Sequence, residues 1–161
     1  MHSERLKMNL ENSKNLLERA RKVIPSASQT FSKGPTQWAG KVSPNYLARG
    51  EGAWVWDVDG NKYLDYLMAL GPIILGYNHP RVNEAVIKQL RDGAIFSQMH
   101  PLEVEVAELM CELIPCAEMV RFGKNGSDVT TAAVRIARAY TGRERVAVAG
   151  YHGWPDWYIG T

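Results

Sequence analysis

Apolar residues recur at helical spacing near the start of the chain. Between Asn9 and Ile24 they fall seven, three and four residues apart, which places them on one face of a helix. Pro25 follows directly and predicts the end of this helix. The next stretch, residues 26–52, is broken by several Pro and Gly residues and predicts an irregular segment. Irregular segments of this length are typically functional or reach another subunit.

Two runs of aromatic and β-branched residues predict a β-hairpin. The runs occupy residues 54–58 and 62–67, and an Asp-Gly-Asn turn sequence lies between them. Asp57, Asp59 and Asp65 permit two interpretations. They form a metal or acid–base cluster, or Asp59 serves the turn while the other two lie on the strands. The second interpretation is favoured, because Asp is among the residues that turns use most.

The second half of the chain alternates predicted helices and strands. Apolar stripes predict helices that open at Pro80 and Pro101, and a third helix over Asp128–Tyr140. Short apolar runs predict strands over Glu118–Phe122 and Arg145–Ala149. A strand, a loop, a helix and a second strand in this order indicate a parallel sheet and an α/β fold. Because a parallel sheet needs more than two strands, we expect this span to be the front part of a larger enzyme.

Composition narrows the class of protein. The 161 residues are 45% hydrophobic and 22% charged, which is typical of a folded globular chain. The net charge of +2 gives no reason to expect a nucleic acid or an anionic membrane as a partner. The best apolar run, Leu67–Leu75, is too short to span a membrane, and the N-terminus does not resemble a secretory signal. Cys111 and Cys116 form no C-x-x-C motif, so we expect reduced thiols, no metal site and a cytoplasmic location.

A loop containing two glycines joins the first of these strands to the last helix. It reads Phe-Gly-Lys-Asn-Gly-Ser-Asp over residues 122–128, and the glycines permit a tight turn and close approach of a ligand. Free N–H groups and the helix dipole at Ser127 favour an anion, above all a phosphate. Asn125 and Ser127 would add side-chain hydrogen bonds. The alternative, that Ser127 only caps the helix, is equally open. Neither the Walker nor the dinucleotide glycine motif is present.

A second cluster follows the last predicted strand. Residues 150–157 read Gly-Tyr-His-Gly-Trp-Pro-Asp-Trp. Parallel strands end at one edge of a sheet, so this cluster should lie beside the glycine-containing loop. Tyr151 is suited to stack on a planar ring held by the phosphate. His152 is either a general base or, as is commoner for a single loop histidine, a structural hydrogen-bonding group. The tryptophans are expected to pack.

Five motifs occur in order along the chain. They are Trp-Asp-Val-Asp-Gly-Asn-Lys-Tyr (56–63), Gly-Pro-Ile-Ile-Leu-Gly-Tyr-Asn-His-Pro (71–80), Asn-Gly-Ser-Asp (125–128), Arg-Ile-Ala-Arg-Ala-Tyr-Thr-Gly-Arg (135–143) and Tyr-His-Gly (151–153). In this order and spacing they resemble the class III pyridoxal-phosphate aminotransferases. Within that family, the glutamate-1-semialdehyde 2,1-aminomutase branch is the most similar. The resemblance runs from about Asn9 to the end of the chain.

The resemblance implies a fold-type-I enzyme with pyridoxal 5'-phosphate as its cofactor. Residues 1–68 would be the N-terminal part of the small domain, with its helix and β-hairpin. Residues 69–161 would begin the large cofactor-binding domain, with its mostly parallel sheet. The activity implied is amino-group transfer between a small-molecule amino donor and a carbonyl acceptor.

The resemblance also assigns residues to the site. Asn125, Gly126 and Ser127 match the phosphate-binding loop, Tyr151 matches the residue that covers the cofactor ring, and we group His152 with these cofactor-binding residues. Two further positions, Ser28 and Leu70, match places where aminomutases contact their substrate. The Schiff-base lysine of the family is expected downstream, so this segment would hold no catalytic residue.

Two departures from the aminomutase pattern concern the substrate. Residues 28–33 contain no arginine, although aminomutases carry one there for the substrate carboxylate. Leu70 stands where aminomutases have a tryptophan. Both departures weaken the case for glutamate-1-semialdehyde and favour another carbonyl acceptor. A non-catalytic homologue that acts only in association is the alternative function, and a binder of nucleotide phosphate is a weaker third.

Three segments predict a homodimer. They are the irregular stretch 26–52, the apolar run Gly71–Gly76 and the linker Phe96–Pro101, whose apolar residues have no intrachain stripe to join. The family resemblance implies the same assembly, with active sites at the subunit interface.

Overall fold

The computed structural model describes residues 8–39, 42–150 and 152–159. The chain divides into two compact units, Met1–Ala94 and Ile95–Thr161. The predicted domain boundary after residue 68 refers to the complete protein and stays a prediction. No helix among the described residues is both long and apolar enough to cross a membrane.

Helix α1 of the first unit spans Glu11–Val23, and a residue far away in the sequence caps its N-terminus. The carboxylate of Asp59 accepts the backbone N–H groups of Asn12 at 2.8 Å and Ser13 at 2.9 Å. These are donors of the first turn, which have no partner within the helix. The Ser13 hydroxyl is fully buried and accepts the N–H of Asn45 at 2.8 Å. Helix α1 is therefore fixed to the hairpin turn and to the chain that precedes the sheet.

The predicted β-hairpin is present, within a three-stranded antiparallel sheet. The strands are β1 (Leu47–Glu51), β2 (Trp54–Asp57) and β3 (Lys62–Leu64), in that order. Strand β1 lies inside the stretch predicted to be irregular. Its sequence, Leu-Ala-Arg-Gly-Glu, lacks the alternation that identifies a strand, and it forms by pairing with the open edge of β2.

Asp57, rather than Asp59, holds the hairpin turn. Its buried carboxylate accepts the backbone N–H groups of Asp59 at 2.9 Å and Asn61 at 2.8 Å, and the hydroxyl of Tyr63 at 2.7 Å. Burial raises the pKa of Asp57, but these hydrogen bonds outweigh it and leave the pKa below its ordinary value. Burial and the bond to Asp57 raise the pKa of Tyr63 to about 12. Asp59 lies in the turn, as predicted, but its carboxylate caps α1, and the Asp57 carboxylate accepts the hydrogen bonds of the turn.

A tyrosine attaches the segment after the hairpin to the sheet. The hydroxyl of Tyr77 donates to Asp65 at 2.6 Å, and its ring covers Gly50, where a Cβ would lie 2.5 Å from the ring. Tyr77 also pairs with Gly52 through both backbone groups. Helix α2 then runs from Pro80 to Asp92, as its apolar stripe predicts.

Among its described residues, the second unit contains three helices. They are α3 (Pro101–Leu113), α4 (Gly126–Thr141) and the short α5 (Asp156–Ile159). The strands predicted over 118–122 and 145–149 are not formed, because neither segment pairs with another strand among the described residues. A strand is stable only when its backbone N–H and C=O groups form hydrogen bonds with an adjacent strand. Apolar residues of α3 and α4, such as Leu109 and Ile136, correspondingly stay exposed.

Candidate functional site

The candidate site is built on the N-terminus of α4, which begins at Gly126, two residues before the predicted start. Asn125 is extended, and its N–H donates to the carboxylate of Asp128 at 2.9 Å. The N–H of Asp128 returns to the carbonyl of Asn125 at 3.1 Å. The N–H groups of Gly126 and Ser127 have no acceptor among the described residues. Two backbone donors at the positive end of the helix are thus available to an anion.

The two glycines of this loop have different roles. At Gly123 a Cβ would lie 2.8 Å from Val129, so the loop can pack on α4 only with glycine there. At Gly126 a Cβ would meet nothing within 4 Å. The turn itself therefore accepts a side chain at Gly126, although the sequence predicts that this glycine permits the tight turn.

The segment that follows the last predicted strand docks on the same turn of α4. Gly153 has a φ of +88°, and a Cβ there would lie 2.5 Å from the Ser127 hydroxyl oxygen. The N–H of Trp154 approaches the same oxygen at 3.5 Å. The proximity predicted for the glycine-containing loop and the 150–157 segment is therefore present, although neither preceding segment forms a strand.

A second contact holds this segment one helical turn further along. The indole N–H of Trp157 donates to the hydroxyl of Thr131 at 3.2 Å, and that hydroxyl donates to the carbonyl of Ser127 at 2.7 Å. Beside these contacts lies a groove of about 620 Å³. Its lining includes Ser127, Thr131, Arg135, Trp154 and Trp157.

The ring of His152 makes one hydrogen bond and one edge-on ring contact that the structure describes. Its Nε2 lies 2.8 Å from the carbonyl of Ala149, and its ring packs edge-on against Tyr158 with centroids 5.4 Å apart. Tyr158 in turn donates to the carbonyl of Gly150 at 2.7 Å. This geometry supports the hydrogen-bonding interpretation of His152, because Nε2 is already occupied. Tyr151, expected to stack on the cofactor ring, lies outside the described residues.

The two predicted substrate-contacting residues belong to the first unit. The Ser28 hydroxyl donates to the carbonyl of Thr30 at 2.7 Å and accepts its N–H at 3.2 Å, so its own turn uses it. Ser28 borders a cavity of about 220 Å³ that Lys33 and Tyr46 also line. Leu70 has a φ of +70° in a left-handed run from Met68 to Gly71, and its side chain is exposed.

Sequence reasoning missed three residues of the site. The sequence pattern gives no individual role to Gly153 or Thr131, and it predicts that Trp157 packs. The tryptophan carried a usable signal, since a partly buried indole N–H generally finds an acceptor. Thr131 carried none, because a hydroxyl on α4 shows its partner only once the following loop is folded.

Comparison with known proteins identifies the family. Residues 37–156 match the family model described as aminotransferase class-III, and this range includes the N-terminus of α4 and residues 150–156 of the segment docked on it. The chain belongs to this family.

Individual relatives agree with the family match. The chain is 45% identical to a glutamate-1-semialdehyde 2,1-aminomutase of Acetivibrio thermocellus, and the match covers 92% of this chain and 35% of the relative. It is 40% identical to a 3-aminobutyryl-CoA aminotransferase of Cloacimonas acidaminovorans, covering 95% of this chain and 37% of the relative. The chain thus spans about a third of the length of these relatives.

A solved structure supports the fold. The PLP internal aldimine form of the FumI protein of Sphingopyxis sp. MTA144 superposes with a TM-score of 0.84 at 34% identity. The match covers 90% of this chain and 35% of that chain. The predicted fold class, the N-terminal part of a fold-type-I transferase, is confirmed by this similarity together with the family match.

Proposed function

We propose that the complete protein transfers amino groups with pyridoxal 5'-phosphate, and that this chain supplies the phosphate-binding part of its site. The observation that carries the proposal is the N-terminus of α4. Two backbone N–H groups that have no acceptor in the described part of the chain lie there, together with the Ser127 hydroxyl. The family match covers this turn and most of the segment docked on it. Of the relatives above, one is an aminotransferase, one is an aminomutase, and the solved structure carries PLP.

The residues present fit a phosphate. A phosphate offers only acceptors at neutral pH, and this turn offers donors with open space in front of Gly126. The carboxylates of Asp128 and Asp156 both line the adjoining groove. The Asp128 carboxylate is bonded to the N–H of Asn125. It therefore closes the loop and leaves the donors of the first turn available. The helix dipole adds to the attraction.

When bound, the cofactor supplies an electron-accepting ring, and the protein supplies orientation and protonation. In the proposed site, Gly126 and Ser127 hold the phosphate, which anchors one end of the ring. Tyr151 would cover the ring face. The hydrogen bond between His152 and Ala149 would fix the backbone on both sides of Tyr151. The lysine that holds the cofactor covalently is proposed to lie outside this span.

The proposed partners are a small-molecule amino donor, a carbonyl acceptor and a second copy of the protein. Exposed apolar residues support the homodimer, since Ile74 and Leu75 of the Gly71–Gly76 run and Met99 of the following linker are all largely exposed. Cys111 and Cys116 are free thiols, which suits the proposed cytoplasmic location. The absence of an arginine in residues 28–33 and the presence of Leu70 favour an acceptor other than glutamate-1-semialdehyde.

Cofactor titration of the complete purified protein tests this function. Pyridoxal phosphate is added to the apoprotein, and its uptake is followed by absorbance and by retention on a desalting column. We expect stoichiometric uptake by the wild type and about tenfold weaker binding by Ser127→Ala, which removes one hydrogen bond to a charged group. Ser32→Ala, which removes an exposed hydroxyl from the first unit, is the matched control and should bind like the wild type. Equal affinity of all three proteins would contradict the assigned site.

A further inference from the structure

We propose that Thr131 and Trp157 are positioning residues, which fix the Ser127 hydroxyl as a hydrogen-bond donor to the cofactor phosphate. This inference rests on the proposed function and assigns a role to two residues outside the phosphate-binding turn. The hydrogen bond between Thr131 and Trp157 joins the second turn of α4 to α5.

The pair has a defined hydrogen-bond direction. An indole N–H is a donor only, so the Thr131 hydroxyl must accept from Trp157 at 3.2 Å. The single proton of that hydroxyl then goes to the carbonyl of Ser127 at 2.7 Å. The chain of bonds runs from the indole through the hydroxyl to the helix backbone, and bonds in such a chain strengthen one another.

Fixing Trp157 also fixes the peptide between Gly153 and Trp154. Only a buried proline and one aspartate separate Trp154 from Trp157, and Pro155 cannot change its φ. The N–H of Trp154 is thereby held 3.5 Å from the Ser127 hydroxyl oxygen, and Gly153 is held against the same oxygen.

The approaching N–H determines what Ser127 can offer. A serine hydroxyl has one proton and two lone pairs. Because the N–H of Trp154 faces a lone pair, the hydroxyl proton is left to point away from the loop and towards an external acceptor. A phosphate is such an acceptor. If the loop moved away, the hydroxyl would rotate freely and lose part of its preference to donate.

The simpler role for Trp157 is packing, since its ring lies 6.1 Å from His152 and 6.0 Å from Tyr158. Packing and positioning predict different results for substitutions that keep the shape and remove the hydrogen bond. Trp157→Phe keeps an aromatic ring and loses the N–H, and Thr131→Val keeps the volume and loses the hydroxyl. Thr131→Ser keeps the hydroxyl and should restore the wild-type behaviour.

Two matched controls are available on α4. Tyr140→Phe removes the hydroxyl of a largely exposed ring near the end of this helix. Thr130→Val removes a hydroxyl that also donates to the carbonyl of Ser127, at 3.2 Å, and makes no bond to an indole. Both controls should bind pyridoxal phosphate within about twofold of the wild type, whereas the loss of one hydrogen bond from the pair should weaken binding about fivefold.

The test is a double-mutant cycle in the complete protein. Dissociation constants for pyridoxal phosphate are measured for wild type, Ser127→Ala, Trp157→Phe and the double variant, and thermal unfolding of each apoprotein is recorded. We expect Trp157→Phe to weaken binding about fivefold in the wild type and to have no further effect once Ser127 is alanine. Thr131→Val should repeat this pattern.

The outcomes separate this proposal from the function on which it rests. If Ser127→Ala weakens binding and Trp157→Phe and Thr131→Val do not, the positioning role is wrong and the phosphate site stands. An equal loss on Trp157→Phe in both backgrounds would show that Trp157 acts by packing and would also overturn the proposal. Failure of the wild type to take up pyridoxal phosphate, or no effect of Ser127→Ala, would overturn the proposed function together with the positioning role.

Discussion

Replacing Gly153 with alanine should weaken cofactor binding by displacing Ser127. The new Cβ would lie 2.5 Å from the Ser127 hydroxyl oxygen, whereas ordinary contact begins near 3.4 Å, so the hydroxyl must move by about 0.9 Å. The position also has a φ of +88°, which an alanine tolerates at a cost of about 1–2 kcal/mol. A hydrogen bond to a charged group contributes about 1.5–3 kcal/mol, so its loss should weaken pyridoxal-phosphate binding about 10- to 100-fold. Titration of the complete apoprotein, followed by absorbance, measures the change.

Gly142→Ala is the control that separates backbone strain from the contact with Ser127. Gly142 also has a positive φ, +66°, but a Cβ there meets nothing within 4 Å. Both variants should therefore unfold at lower temperature, and only Gly153→Ala should lose cofactor affinity. If the two variants bound pyridoxal phosphate equally well, the contact between Gly153 and Ser127 would have no part in cofactor binding.

Four further predictions concern the first unit. Asp59→Ala removes the distant cap of α1 and should lower the free energy of unfolding by about 1–2 kcal/mol, and an unchanged denaturation midpoint would refute the cap. Gly50→Ala places a Cβ 2.5 Å from the Tyr77 ring and should destabilise by about 1–3 kcal/mol, which chemical denaturation would detect or exclude. The depressed pKa of Asp57 predicts stability that is present above its ordinary value of 3.8 and is lost as the pH falls through the folded value. The raised pKa of Tyr63 predicts a loss of stability as the pH rises from 10.0 towards about 12. Tyr77, whose pKa is also raised to about 12, contributes to the same loss, so Tyr63→Phe should make the alkaline limb of the stability profile less steep, and an unchanged limb would contradict this.

Local patterns predicted most helices and the hairpin. The apolar stripe and Pro80 identified α2, and the Asp-Gly-Asn turn identified the pairing of β2 with β3. These elements depend on residues close to one another in the sequence. The start of α4 was placed two residues late, because Gly126 and Ser127 are weak helix formers and the capping contact of Asp128 determines the first turn.

Contacts between distant residues were not predictable from the pattern. Asp59 caps α1 across 46 and 47 residues of sequence, while its own turn is held by Asp57. Strand β1 forms only because the edge of β2 is available. Conversely, residues 118–122 and 145–149 have strand-like composition but no neighbouring strand among the described residues. Periodicity reports which face of an element is apolar, and it does not report whether a partner is present.

The candidate site shows the same division. The spacing of strand, loop and helix placed Asn125–Ser127 at a helix N-terminus and brought residues 150–157 to it, and the structure has this proximity. The Thr131–Trp157 hydrogen bond crosses 26 residues and has no sequence signature. The roles of the site residues in cofactor binding stay predictions, including that of Tyr151.

A crystal structure of the complete protein with pyridoxal phosphate bound would test the central claim most directly. We predict that phosphate oxygens lie within about 3 Å of the N–H nitrogens of Gly126 and Ser127 and of the Ser127 hydroxyl oxygen. The Thr131–Trp157 hydrogen bond should be intact, and the ring of Tyr151 should lie over the cofactor ring. A phosphate bound away from the N-terminus of α4, with these two N–H groups hydrogen-bonded elsewhere, would contradict the account.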